Sequence, residues 1–178
     1  YGVFVGGIAG KNGEQRTILN CKNSGTISST GYRVGGIVGE GSIFDFCENS
    51  GSITNNYLAQ SSMDSSFVGG IAGTSGNIMN SINTGHVDGE IAGGLAGSIS
   101  AARKSINDGS VKGALYAGGI GGVCSNYIVT SINKGSLEGG NVGGICGYST
   151  AFIITSLSYT EKSNGLTTGG IVAINKGK

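Results

Sequence analysis

Aliphatic residues fall along this chain in short clusters, broken by glycine every few positions, and the clusters repeat. A segment of the form small/aliphatic-Gly-Gly-Ile/Leu-x-Gly occurs as VGGIAG (5–10), VGGIVG (34–39), VGGIAG (68–73), AGGLAG (92–97), AGGIGG (117–122) and VGGICG (142–147). A seventh, TGGIVA (168–173), ends in alanine, and successive copies start 29, 34, 24, 25, 25 and 26 residues apart. A second segment follows each: CKNSGTI (21–27), CENSGSI (47–53), SINTGHV (81–87), SINDGSV (105–111), SINKGSL (131–137) and the degraded SLSYTEK (156–162). Self-similarity at such a period is the signature of a stacked repeat architecture.

In register, the copies make apolar columns. Ile8, Ile37, Ile71, Leu95, Ile120, Ile145 and Ile171 form one, and Ile27, Ile53, Val87, Val111 and Leu137 a second. Ile18, Phe44, Ile78, Ala102, Ile128 and Ile153 form a looser third. Helical repeats need runs of helix formers, whereas here β-branched residues are interrupted by glycine. The pattern predicts an all-β chain: a parallel β-solenoid of six to seven coils, about 25 residues and three short strands each, facing a shared interior. At about 4.8 Å per coil it would be a rod of roughly 30 Å. Residues 1–178 read as one such domain, with a loop insertion at 55–67.

The polar columns have structural readings. Asn23, Asn49, Asn83, Asn107 and Asn133 are expected to stack as an amide ladder along the axis. The glycines two positions later (Gly25, Gly51, Gly85, Gly109, Gly135) suit corners of positive φ.

Composition agrees. Glycine supplies 37 of 178 residues and proline none, but glycine does not fall on every third position, which excludes collagen. Eleven Lys and Arg against ten Asp and Glu leave no basic stripe for a nucleic-acid backbone. No apolar run approaches the roughly 18 residues of a membrane span.

The paired Gly-Gly-Ile-x-Gly and Asn-x-Gly-x-Val motifs resemble the GLUG repeat family over nearly the whole chain. That family occurs in large secreted bacterial surface proteins, among them adhesin-like proteins and non-catalytic regions of IgA-cleaving metallopeptidases. The resemblance implies a bacterial surface or extracellular setting and no catalytic residues. The long second repeat and the degraded sixth depart from its pattern.

Candidate chemistry is sparse. Cys21 and Cys47 share a column continued by Ser81, Ser105, Ser131 and Ser156. A bridge between them is within Cα range, but parallel Cβ vectors disfavour it. Cys124 and Cys146 stand at different offsets from their Gly-Gly pairs and are expected to be unpaired. With no Cys-x-x-Cys or His pair, zinc is disfavoured, and no cofactor is expected. His86, Asp88 and Glu90 could suggest a metal or catalytic site. The column Ser28, Thr54, Asp88, Lys112, Glu138 instead suggests a surface charge ladder with Lys112 between two carboxylates, as do Lys22 beside Glu48 and Asp108 beside Lys134. The acids are too dispersed for the paired carboxylates of a polysaccharide-cleaving β-helix, a remote alternative.

Insertions in solenoids mark the binding face. The 55–67 and 29–33 insertions offer Tyr32, Tyr57, Leu58, Met63 and Phe67 as partner-binding residues, unless the loop folds over the rod and covers them. The column Lys22, Glu48, Ile82, Ile106, Ile132, Leu157 is either an exposed aliphatic stripe or turned inward. Two function classes follow: a stalk or display scaffold, or a recognition module for a host protein or glycan. Expected partners are other domains or repeats of a longer protein. The chain starts within a repeat, so its N-terminal edge is expected to be covered there, and the isolated piece to pair end to end.

Overall fold

The computed structural model describes residues 3–57, 65–160 and 163–177. Every element among them is a β-strand, and all pairings are parallel, between equivalent positions of successive coils. Sheet I stacks Phe4–Gly6, Arg33–Gly35, Phe67–Gly69, Val87–Gly93, Val111–Gly118, Leu137–Gly143 and Ser163–Gly169, with Ile27–Ser29 and Ile53–Asn55 beside them. Sheet II runs from Ala9–Lys11 and Thr17–Leu19 through Val38–Asp45, Ala72–Met79, Ala96–Arg103 and Gly121–Val129. It ends on Cys146–Ser149, Phe152–Ile154 and Val172–Asn175. Sheet III has six two-residue strands, one per coil, from Lys22–Asn23 to Leu157–Ser158. The fold is the expected parallel β-solenoid.

Its interior is not one core but two. One cluster joins the Ile37, Ile71, Leu95, Ile120, Ile145 column to Phe44, Ile78, Ala102 and Ile128. The other joins Ile53, Val87, Val111 and Leu137 to Val34, Val68, Ala92, Ala117 and Val142. Between them runs the asparagine ladder. A Cβ added to Gly36 would lie 2.6 Å from Asn49 Cγ, and one on Gly7 2.8 Å from Asn23 Oδ1; Gly70, Gly94 and Gly119 meet Asn83, Asn107 and Asn133 in the same way. The second glycine of each Gly-Gly pair is therefore the seat of that coil's amide. The two motifs pinch each coil at a waist, with one apolar lobe on either side.

The ladder is continuous from Asn23 to Asn133. Asn83 Nδ2 donates to Gly85 O at 2.9 Å and to Asn107 Oδ1 at 2.9 Å, while its Oδ1 accepts from Asn49 Nδ2 at 2.8 Å and Gly85 N at 3.3 Å. Asn133 likewise makes all four, while Asn49 and Asn107 each make three, and all four residues are wholly buried, where leaving an amide unpaired is costly. In the sixth coil Ser158 stands in register with Asn133, and Thr160 Oγ1 takes the last amide at 2.7 Å.

The glycines after the asparagines do not have positive φ. They are required for space: a Cβ on Gly51, Gly85, Gly109 or Gly135 would collide with the carbonyl oxygen of the equivalent glycine one coil earlier. The left-handed corner lies instead at Asn20, Phe46, Asn80, Lys104, Thr130 and Thr155, all with φ of 46–52°. The next residue secures it. Ser81, Ser105, Ser131 and Ser156 donate their hydroxyls to the carbonyl two positions earlier, at 2.6, 2.9, 3.2 and 3.1 Å. Each also accepts the backbone N–H of the preceding coil, from Cys47 N to Ser81 Oγ at 3.0 Å onward.

Cys124 and Cys146 are bonded to each other, not unpaired. Cys146 stands in register with Gly121, whose missing side chain opens a diagonal path to Cys124, with Cα atoms 6.3 Å apart. Unequal offsets forbid a straight pairing across the stack, not a diagonal one. Cys21 and Cys47 are free thiols.

Asn83→Ala removes the central rung and strands the amides of Asn49 and Asn107. It is expected to lower unfolding stability by about 2–4 kcal/mol in urea titration, with Asp108→Ala, at the exposed position just after the strand Ile106–Asn107, changing it little. Equal effects would show that the ladder does not bear on stability.

Candidate functional site

Pairing in sheet I is interrupted or irregular halfway along, and this is where the coils differ. Gly89 lies there with no room for a Cβ, which would collide with Val68. Opposite it the pairing slips, so that Ala114 and Leu115 of the next coil bulge outward. Residues 30–32 in the first coil, 56–57 and 65–66 in the second and Leu166 in the sixth emerge at the same place. The result is a ridge parallel to the rod axis, on which Tyr32 is 37%, Leu115 40% and Leu166 95% exposed.

Both ends of the long insertion are fastened. Asn56 N donates to Ser29 O at 2.8 Å and Asn55 Nδ2 to Gly31 O at 3.0 Å. At the return, Ser66 N–H donates to the Glu90 carboxylate at 2.8 Å, and Ile91 N to Ser66 O at 3.2 Å. Glu90 thus has a structural task, holding the loop where it rejoins sheet I.

The sequence-selected residues separate into three groups. Tyr32 and the half-buried Tyr57 meet with ring centroids 4.8 Å apart, so the first two insertions lean on one another. Phe67 is not a loop residue: it opens the strand Phe67–Gly69, half-buried between Arg33 and Ile91. Asn55 likewise closes the strand Ile53–Asn55. Leu58 and Met63 lie outside the described residues. The Ile82, Ile106, Ile132, Leu157 column faces outward on sheet III, half-buried until Leu157 at 47% exposure.

The charge ladder is present in register but only partly in contact. Lys22 and Glu48 pair at 2.6 Å. Asp88, Lys112 and Glu138 are aligned, yet no ion pair joins them among the described residues, nor Asp108 to Lys134. His86 shares a hydrogen bond with Ser110 instead, Nδ1 to Oγ at 2.7 Å.

One cluster was missed. Glu40 is held by Lys11 at 2.7 Å and Arg33 at 3.0 Å, and both cations lie over the Phe4 ring, at 5.0 and 5.4 Å from its centroid. Its signal was available, because Lys11 and Glu40 share one offset after their Gly-Gly pairs. The same flank carries the Tyr116–Tyr148 contact, 5.8 Å between centroids. Among the described residues no helix is long and apolar enough to cross a membrane.

Glu90→Ala is expected to speed amide exchange at Ser66 about tenfold or more, with the melting temperature nearly unchanged. Unaltered exchange at Ser66 would show that the carboxylate does not hold the loop.

Compared with family models, curated proteins and solved structures, the chain matches none.

Proposed function

We propose that the chain is a non-catalytic structural segment of a secreted or surface-exposed bacterial protein, serving as a stalk or display scaffold. The observation that carries this reading is the sameness of the coils. The amide position recurs through the first five coils and the corner hydroxyl through the last four, and the side chains that vary from coil to coil lie mainly on the outside. Such a cross-section resists change along its axis while leaving its surface open to variation. The Cys124–Cys146 bridge supports an oxidising compartment, where disulfides persist. The motif likeness to GLUG repeats supports a bacterial surface setting.

Recognition of a host protein or glycan is the second reading. The ridge favours it, since the insertions share one line and leave Leu115 and Leu166 exposed.

The two readings part in one experiment. The chain is displayed on a bacterial surface between an anchor and a reporter domain, as wild type and with Tyr32→Ala, Leu115→Ser and Leu166→Ser combined. A scaffold keeps the reporter accessible in both, and adhesion to host matrix proteins and glycan arrays changes less than about twofold, an effect under 0.5 kcal/mol. Adhesion that collapses in the triple variant would replace the scaffold reading with recognition.

A further inference from the structure

The two free thiols, Cys21 and Cys47, occupy one column in adjacent coils. Lys22 is in register with Glu48, and Glu48 N donates to Cys21 O at 2.9 Å, which sets the cysteines directly opposite each other. Both thiols adopt the direction of the serines above them. Cys21 Sγ points to Leu19 O at 3.4 Å and Cys47 Sγ to Asp45 O at 3.6 Å, two positions back in each case. Cys47 Sγ also lies 3.5 Å from Ile18 O of the coil below, as Ser156 Oγ lies 3.5 Å from Ile128 O.

Parallel side chains on neighbouring strands hold their ends apart by about the strand spacing, ~4.8 Å. A disulfide needs sulfurs about 2 Å apart and a dihedral near 90°, which parallel vectors oppose. A linear sulfur–metal–sulfur unit has the other requirement. With metal–thiolate bonds of about 2.3 Å, the zinc value, two in line span about 4.6 Å, close to the spacing offered. Soft cations of filled d shell, Cu(I) and Ag(I), accept two thiolates in a line, and thiolate donors select them.

We propose that Cys21 and Cys47 form a two-coordinate site for such a cation, bridging the first and second coils. Two S–H bonds break, two sulfur–metal bonds form and two protons leave; no electron is transferred. Cys47 is 1% exposed and Cys21 half-buried, so the ion enters from the Cys21 side and is then shielded from water. Burial pushes the Cys47 thiol up. Among the described residues no three His, Cys, Asp or Glu side chains converge, so metals requiring a larger protein ligand set have no competing site there.

The test uses Ag(I), which does not change oxidation state here, on the chain with its Cys124–Cys146 bridge intact. Native mass spectrometry is expected to show one tightly held ion, and X-ray absorption two sulfur neighbours in line. Cys21→Ser and Cys47→Ser should each weaken binding about a hundredfold or more, beyond the 10–100-fold of losing a supporting group. Both variants are expected to fold, because serine fills this column in the four later coils. No ion at one equivalent, or undiminished binding in either variant, would overturn the proposal. So would ready oxidation of the wild type to a Cys21–Cys47 disulfide, since it requires the sulfurs to turn towards each other.

Discussion

The contact between a buried carboxamide and the second glycine of a Gly-Gly pair is what the rest of this structure depends on. Gly36 seats Asn49, Gly70 seats Asn83, Gly94 seats Asn107, and no side chain larger than hydrogen fits beneath the amide. The contact draws sheet III against the corner between sheets I and II and divides each coil into two lobes. Each lobe is narrow enough to be filled by a few small or aliphatic side chains per level, three or four in the first lobe (Leu95, Ala96, Ile99, Ala102) and two in the second (Val87, Ala92), which is why the columns hold few aromatics. The amides then meet one another at 2.8–2.9 Å along the axis. Because every rung points its N–H the same way, a register slip would unmake the whole ladder, and the buried polar groups specify alignment as well as adding stability.

A waist held this firmly tolerates change elsewhere. Extra residues enter midway along sheet I and midway along sheet II, where Ser125 and Asn126 form a bulge. Neither place touches the ladder. The same rule locates the disulfide: it uses a glycine gap in sheet II, within the first lobe, and leaves the waist intact. Variation and constraint occupy different parts of each coil.

The fold was legible because its period is short and its columns chemically pure. The asparagine column from Asn23 to Asn133 carries the register in its spacing, and the Ile37 and Ile53 columns mark the inward faces. What failed had no signature in residue type. Left-handed backbone at Phe46, Lys104 and Thr130 costs about 1–2 kcal/mol each for such residues. It is the neighbouring Ser or Cys and the stacked corners that hold it there, so glycine and the corner part company. The glycine after each asparagine answers to a carbonyl oxygen one coil away, a contact 24 to 34 residues distant in the chain. The Cys124–Cys146 bridge needed knowledge that Gly121 sits between. At the ridge, the insertions located the variable line, but Phe67 was absorbed by a strand and Glu90 acquired a partner in Ser66 that spacing alone could not supply.

Exchange of the asparagine side-chain amides tests the central claim most directly. If the amide–glycine waist organises every coil, the NH2 protons of Asn49, Asn83, Asn107 and Asn133 exchange with solvent as slowly as the buried backbone amides of Ile71, Leu95 and Ile120 beside them. The exposed Asn126 exchanges at the rate of an unfolded chain. Fast exchange of the four buried amides, with the backbone still protected, would contradict the account and make the aliphatic columns alone responsible for the stack.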